Sequence, residues 1–361
     1  MTGICFFIGD MKRSGGTERV TEQVSALLCS DYRTHIVSLQ NLESDFFYMP
    51  KEEVTTHTIL KKPHQNIQKA VLAFPYIFVA LARYINRHHI DIVIDVDSVL
   101  DLFTIPLKLF CKIRVVSWAH FPFRVKVGTG FRPLVERLSN RFCDATVVLT
   151  SSDYTAMKAV GKRKGFLYYI PNMVYPKDRM PPSDAQRILS VGRLTYEKGF
   201  DYLVEVAKLV LPKHPQWQWV IVGEGEERAS LQQKIQDVGL EDRILLVGRQ
   251  KDIEAYYESA AIYVMTSRFE GAPMVLLEAL GERLPTISFD CETGPGEMIE
   301  DGTSGYLIPC FHIEEMAKRI EELIDFPEKR EAFSRASLTK IGDFTVEIVA
   351  KQWKKLLEEL S

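Results

Sequence analysis

The chain is defined first by what it lacks. Its six cysteines, Cys5, Cys29, Cys111, Cys143, Cys291 and Cys310, are scattered over 361 residues without any C-x-x-C pair. Neither a zinc knuckle nor a disulfide framework is therefore indicated, and a reducing compartment fits. Met1 leads into an apolar Ile4-Cys5-Phe6-Phe7-Ile8 run without the basic start and small-residue cleavage site of a signal peptide. The longest apolar stretch, Ala70 to Ala82, is broken by Pro75 and falls short of the roughly 20 residues that span a bilayer. Repeats of 20–50 residues and low-complexity tracts are also missing, which disfavours solenoids and propellers. A cytoplasmic location is expected, with at most peripheral attachment to the inner face of the cell membrane.

What is present is an ordinary globular composition, 46% hydrophobic and 26% charged, over a length that suggests two domains. The small net charge of −3 conceals an asymmetry, because residues 1–185 hold 24 Lys and Arg against 17 Asp and Glu. A basic half can lie against anionic lipid headgroups, and it can equally be a solvated surface. Lys158, Lys162, Arg163 and Lys164 form its densest cluster. Short Val- and Ile-rich runs alternate with segments of helical period, which is the signature of βαβ units on a parallel sheet. In the first half, strands are expected at Ile4–Ile8, His35–Leu39, Ile92–Asp95, Val115–Ala119, Thr146–Leu149 and Leu167–Ile170. In the second they are expected at Ile188–Val191, Trp219–Val222, Ile244–Val247, Ile262–Met265, Thr286–Phe289 and Tyr306–Ile308. Three prolines between Pro176 and Pro182 mark a linker. The expected fold is α/β, with two Rossmann-like doubly wound domains facing across a cleft: residues 1–175, a linker at 176–184, residues 185–344, and a final amphipathic helix over 345–361. Such sheets bind ligands outside the carboxyl ends of their strands.

Six segments at those positions can carry chemistry. Ser14-Gly15-Gly16-Thr17 opens a helix after the first strand, where glycine amides and the helix N-terminus suit a phosphate; an ordinary tight turn reads the same residues equally well. His120 closes a strand and can hydrogen-bond a sugar hydroxyl, although a lone histidine is more often structural. In Gly192-Arg193-Leu194-Thr195-Tyr196-Glu197-Lys198-Gly199, two cations five residues apart on one loop suit a diphosphate; a solvated loop is the alternative. Gly223-Glu224-Gly225 superficially matches a dinucleotide fingerprint, but its third glycine is replaced by Arg228, and it reads as a turn. In Ser267 to Leu280, Glu270 lies in a loop and Pro273 fits a first helical position. Glu278 then falls on an otherwise apolar helix, where ribose or sugar hydroxyls would supply its hydrogen-bond donors. Cys291-Glu292-Thr293-Gly294-Pro295-Gly296 is a weaker signal of the same kind.

Together these segments resemble the family 4 glycosyltransferases of GT-B fold, over essentially the whole chain. The most specific match is the E-x7-E element Glu270 and Glu278, in the context Phe269-Glu270-Gly271-x-Pro273 and Leu277-Glu278-Ala279. Val191-Gly192-Arg193-Leu194 with Lys198-Gly199, Ser14-Gly15-Gly16-Thr17-Glu18-Arg19, Ile170-Pro171-Asn172 and Asp301-Gly302-x-x-Gly305-Tyr306-Leu307 extend it. The chain departs from the family at Met173-Val174-Tyr175, where Gly-Val-Asp is common, and at Gly294-Pro295-Gly296, which looks like the form found in cell-surface polysaccharide enzymes.

The resemblance implies a nucleotide-sugar donor, UDP-linked by preference, bound to the second domain, and a glycan or lipid-linked acceptor bound to the first. It implies that Arg193 and Lys198 bind the diphosphate, Glu278 the ribose and Glu270 the transferred sugar. It further places Gly15, Gly16, Gly271, Ala272, Pro273 and Met274 around the donor and His120 near the hexose. Retention at the anomeric carbon without a metal or cofactor is expected, with an anionic membrane surface as a further partner and nucleic acid excluded for want of aromatic-basic interleaving. The competing readings are a nucleotide-sugar epimerase on the same fold, a nicotinamide dehydrogenase, which needs a better glycine fingerprint, and a non-catalytic nucleotide-sugar binding protein.

Overall fold

The computed structural model describes residues 1–40, 46–60, 73–120, 132–160 and 163–361. Lys162 of the basic cluster and the first three residues of the Ala70–Ala82 stretch lie outside them. The chain divides into two compact units, residues 1–172 with 347–361, and residues 173–346.

The first unit holds a seven-stranded parallel sheet in the order β3-β2-β1-β4-β5-β6-β7. Its strands are β1 (Gly3–Ile8), β2 (Arg33–Gln40), β3 (Thr55–Leu60), β4 (Ile92–Val96), β5 (Arg114–Ala119), β6 (Ala145–Val148) and β7 (Phe166–Tyr169). All six residues of β1 are buried, as a central strand covered on both faces requires. β3 was not expected, because at this edge only its second half, Thr58 to Leu60, is buried and Thr-Thr-His-Thr carries little apolar signal. The helix Val346–Leu360 belongs to this unit. It buries Val349, Trp353, Leu356, Leu357 and Leu360, with the Trp353 ring 4.9 Å from Trp118 and 6.4 Å from Phe6. Apolar spacing alone explains this: those five positions fall on one stripe of a 3.6-residue helix.

The second unit repeats the plan with six parallel strands in the order β10-β9-β8-β11-β12-β13. These are β8 (Arg187–Val191), β9 (Gln218–Val222), β10 (Ile244–Gly248), β11 (Ile262–Met265), β12 (Thr286–Phe289) and β13 (Gly305–Ile308), each overlapping its expected segment. Thirty buried residues, from Ile188 to Phe333, pack one face of this sheet. The proline-bearing linker segment is fastened to this unit. Lys177 donates its amide to the Gly281 carbonyl, Arg179 pairs with both Glu258 and Glu282, and the Ser183 carbonyl accepts from the Arg330 guanidinium. Prolines prevented a regular element here without preventing side-chain and amide anchoring.

In each sheet the strand order reverses once, between β1 and β4 and between β8 and β11. Loops leaving the carboxyl ends of those neighbours diverge to opposite faces and open a crevice.

Candidate functional site

In the second unit, the crevice is formed by the loop after β8 and the loop after β11. The first passes through a single 3-10 turn, Tyr196–Lys198, into the helix Phe200–Val210, with Gly199 between them at φ +62°. A Cβ at Gly199 would stand 2.1 Å from the Thr266 carbonyl oxygen. Only glycine allows the two loops this approach. The second loop carries Glu270 toward the first, and Lys198 Nζ lies 2.6 Å from Glu270 Oε1. Their side chains are 20% and 9% exposed, so this ion pair is largely withdrawn from water. Ser267 Oγ donates to the same Glu270 oxygen at 2.6 Å.

The expected residues of the E-x7-E element thus hold defined places. Glu278 lies on the helix Met274–Gly281, where the Tyr257 hydroxyl donates to its Oε2 at 3.0 Å. The phenol of Tyr263 is fully buried, and burial first, then the charges of Glu270 and Glu278, push its pKa well above the usual value. Both carboxylates therefore act on one buried ring of β11. Pro273 caps this helix in an extended conformation rather than occupying its first turn, and Met274 begins it. Gly271 and Ala272 are half-buried just before it. A Cβ on Gly294, at φ +97°, would meet the Gly271 carbonyl oxygen at 2.7 Å, while Thr293 Oγ1 donates to the Glu270 carbonyl. The loop after β12 thereby braces the loop after β11.

Arg193 is exposed on the β8 loop and makes no ion pair among the described residues. Its loop rests on the Gly223-Glu224-Gly225 turn: the Leu194 amide donates to the Glu224 carbonyl, and a Cβ on Gly223 or Gly225 would strike the Gly192 or Leu194 carbonyl oxygen at 1.8 or 2.2 Å. These glycines support a neighbouring loop by close backbone contact, which the failed dinucleotide pattern did not reveal.

Sequence reasoning missed Arg268. Its guanidinium makes two bonds to Asp201, at 2.9 and 2.7 Å, and one to the Tyr196 carbonyl at 2.7 Å. It lies 4.0 Å from the Tyr196 ring centroid and 4.4 Å from that of Tyr202. Burial opposes ionisation of Asp201, but the Arg268 hydrogen bonds and charge prevail and hold its carboxyl below the usual range. With the Arg268 amide donating to the Glu197 carbonyl at 2.8 Å, the residue ties the two crevice loops together. One arginine in a loop gives no signal of this, because its partners lie about 70 positions away.

In the first unit, Gly15 caps the helix Gly16–Leu28 in an extended conformation at the β1 carboxyl end. A Cβ on Gly15 would meet Glu18 Oε2 at 2.5 Å. His120 follows β5 with its ring 4.5 Å from Trp118; its Nε2 is buried and has no hydrogen-bond partner among the described residues. Burial alone lowers its pKa to about 3, so the imidazole is neutral. Below it, burial raises the pKa of both Asp95 and Asp101. Asp101 accepts from Ser117 Oγ at 2.6 Å and from Ser139. These acids satisfy internal hydroxyls and were not singled out from the sequence.

What the second crevice offers is an exposed cation, a dried cation–carboxylate pair and a second carboxylate on the next helix. The first two suit a phosphorylated ligand and all three a hydroxylated one. Residues 175–339 match the family described as glycosyl transferases group 1. The amylovoran biosynthesis glycosyltransferase AmsD of Erwinia amylovora is 32% identical over 99% of this chain and all of its own. A GalNAc-α-(1→4)-GalNAc-α-(1→3)-diNAcBac-PP-undecaprenol α-1,4-N-acetyl-D-galactosaminyltransferase of Campylobacter jejuni is 25% identical over 100% of this chain and 99% of its own. The fold matches that of TarM from S. aureus, solved with fondaparinux, α-GlcNAc-glycerol and UDP, at a TM-score of 0.81, 15% identity and 99% coverage of both chains. The pair of Rossmann-like units is thus of GT-B type, and the chain belongs to the group 1 glycosyltransferases.

Proposed function

We propose that this glycosyltransferase is a retaining, metal-independent enzyme that moves a hexose or N-acetylhexosamine from a UDP-sugar to a lipid-linked glycan, in cell-surface polysaccharide biosynthesis. The observation that carries the reading is the Lys198–Glu270 pair, 2.6 Å apart where the strand order reverses. A donor diphosphate arriving beside Lys198 and Arg193 would meet two cations, while the transferred sugar would donate hydroxyls to Glu270 and the ribose to Glu278. In the first unit, the neutral His120 suits a hydrogen bond to an uncharged sugar hydroxyl, and Gly15 and Gly16 at a helix start suit a phosphate. In this reading the second unit binds donor and the first binds acceptor.

Retention requires the acceptor hydroxyl to arrive on the face from which the nucleotide leaves. The departing phosphate then takes the proton of that hydroxyl, so no protein nucleophile is needed. Catalysis rests on positioning and on stabilising the charge that develops on the diphosphate, the part assigned to Arg193 and Lys198. The names of the Erwinia and Campylobacter relatives support a polysaccharide product and a polyprenyl-diphosphate acceptor, and the TarM complex supports UDP.

The test is thermal unfolding in EDTA with UDP, GDP and ADP in turn, for the wild type and for Glu278→Gln. At 100 times its Kd a nucleotide adds about 2.7 kcal/mol, so UDP is expected to raise Tm by several degrees, and Glu278→Gln to blunt the rise. Absence of any nucleotide shift in EDTA would overturn the donor site. Proton NMR of the new linkage reads the anomer, and an inverted product would overturn the mechanism.

A further inference from the structure

One face of the first unit has no part in the crevices. The helix Phe74–His88 exposes Tyr76 at 61% and Val79 at 43%. Farther along the same face, at helical spacing, stand the exposed Arg83 and Arg87. Beside this helix, the turn ending the short 3-10 segment Ile105–Leu109 leaves Leu109 83% and Phe110 71% exposed. The two elements are joined by an edge-on contact of the Phe78 and Phe110 rings, with centroids 5.5 Å apart. A third element joins through Lys108 Nζ, which donates to the Phe142 carbonyl at 2.7 Å. Phe142 is itself 44% exposed, next to exposed Arg141.

Charge on this face is mainly positive, with Asp91 an exposed carboxylate beside Lys108 and Lys112. Asp144 is engaged by Lys108 at 2.7 Å and Arg114 at 3.3 Å, and Asp91 accepts the Gly3 amide at 2.8 Å. Among the described residues, Arg83, Arg87, Lys112 and Arg141 make no ion pair. Leu109 and Phe110 thus stand out next to each other on a tight turn. Protruding apolar side chains ringed by cations on flexible stems suit a headgroup boundary, the apolar groups entering the acyl region and the cations meeting phosphate.

We propose that this face, led by Leu109 and Phe110 and flanked by Arg83, Arg87, Lys112 and Arg141, is the surface on which the protein docks onto an anionic lipid bilayer. Leu109 to Lys112 and Phe142 lead into the amino ends of β5 and β6, the end of the sheet away from the crevice, so this surface goes beyond the lipid-linked acceptor reading, and docking is measurable without donor or acceptor. The four native tryptophans, Trp118, Trp217, Trp219 and Trp353, are all buried. A Phe110→Trp variant therefore carries the single exposed indole.

The experiment mixes the full chain, at low salt, with vesicles of phosphatidylcholine alone or with about one-third phosphatidylglycerol, a mixture chosen to be anionic. The wild type is expected to co-sediment only with the anionic vesicles and to be released by about 0.5 M salt, where the Debye length has shrunk to a few ångströms. Leu109→Glu with Phe110→Glu should lower the partition coefficient at least tenfold, and Lys112→Ala about fivefold. Phe110→Trp emission should shift to the blue on binding. No sedimentation of the wild type, or an unshifted Phe110→Trp emission, overturns the proposal. If the UDP-dependent rise in Tm survives such a failure, the transferase reading stands and only the docking surface is lost.

Discussion

Arg268→Met is the sharpest test of how the crevice is held. The substitution keeps the apolar stem and removes the guanidinium, whose side chain is 10% exposed against 33% for Asp201. What is lost is a bidentate charge-assisted contact, a bond to the Tyr196 carbonyl and two ring contacts. Hydrogen bonds to charged groups contribute about 1.5–3 kcal/mol and cation–π contacts about 0.5–1 kcal/mol when water is near. Since Asp201 regains part of its hydration once unpaired, the expected cost is about 2–3 kcal/mol. In a unit of 150–250 residues each kcal/mol moves Tm by about 2–4 °C, so the second unit should melt roughly 5–10 °C lower. Trp217 and Trp219 report on that unit once Trp118 and Trp353 are replaced by Phe, and a cycle with Asp201→Asn should return a coupling near 1–2 kcal/mol. UDP should also bind more weakly, because the loop bearing Lys198 loses its tether. A Tm within a degree of the parent, or additive effects in the cycle, would refute the clamp.

Three further outcomes are expected. Gly199→Ala forces a methyl 2.1 Å from the Thr266 carbonyl oxygen at φ +62°; beyond the ~1–2 kcal/mol for the left-handed conformation, the loops must part, and UDP affinity should fall about tenfold by calorimetry, equivalent to ~1.4 kcal/mol. Trp353→Ala empties the site against Trp118 and Phe6 and should cost about 3–5 kcal/mol of first-unit stability, visible as early proteolysis there with the second unit intact. His120→Gln addresses pH. With the folded pKa lowered to about 3, the unfolded chain takes up a proton near pH 6.5 that the native protein refuses. Wild-type stability is therefore lost as pH falls below about 6.5, by up to ~1.4 kcal/mol per pH unit. The wild type minus His120→Gln difference isolates this from the opposing behaviour of Asp95 and Asp101, and identical acid slopes would show that His120 does not titrate so.

The repeated βαβ order was legible because each central strand is covered on both faces and so reads as an unbroken apolar run, as in Ile4–Ile8 and Ile262–Met265. Thr55–Leu60 escaped for the converse reason, since an edge strand needs apolar residues only where something covers it. Glu270, Glu278 and Lys198 stood out because carboxylates in an apolar setting and paired cations on one loop are chemical anomalies within a few residues. Arg268, Tyr257 and Tyr263 did not, because their meaning lies in partners brought together by the sheet. Tyr263 in particular is indistinguishable in sequence from any aromatic core residue. The anchoring of residues 177–183 was hidden likewise, since prolines announce irregularity but not what an irregular segment holds on to.

The return of residues 347–361 to the first unit also sets a timetable. At about 5–20 residues per second of synthesis, roughly 170 residues separate the end of the first segment from the start of the helix that covers Phe6 and Trp118. For about 10–35 seconds the earlier-made unit waits with that apolar site open, while every part of the second unit emerges. The unit made second is thus the first to be complete, and the nascent first unit is the stage at which a chaperone or a protease finds this chain most vulnerable.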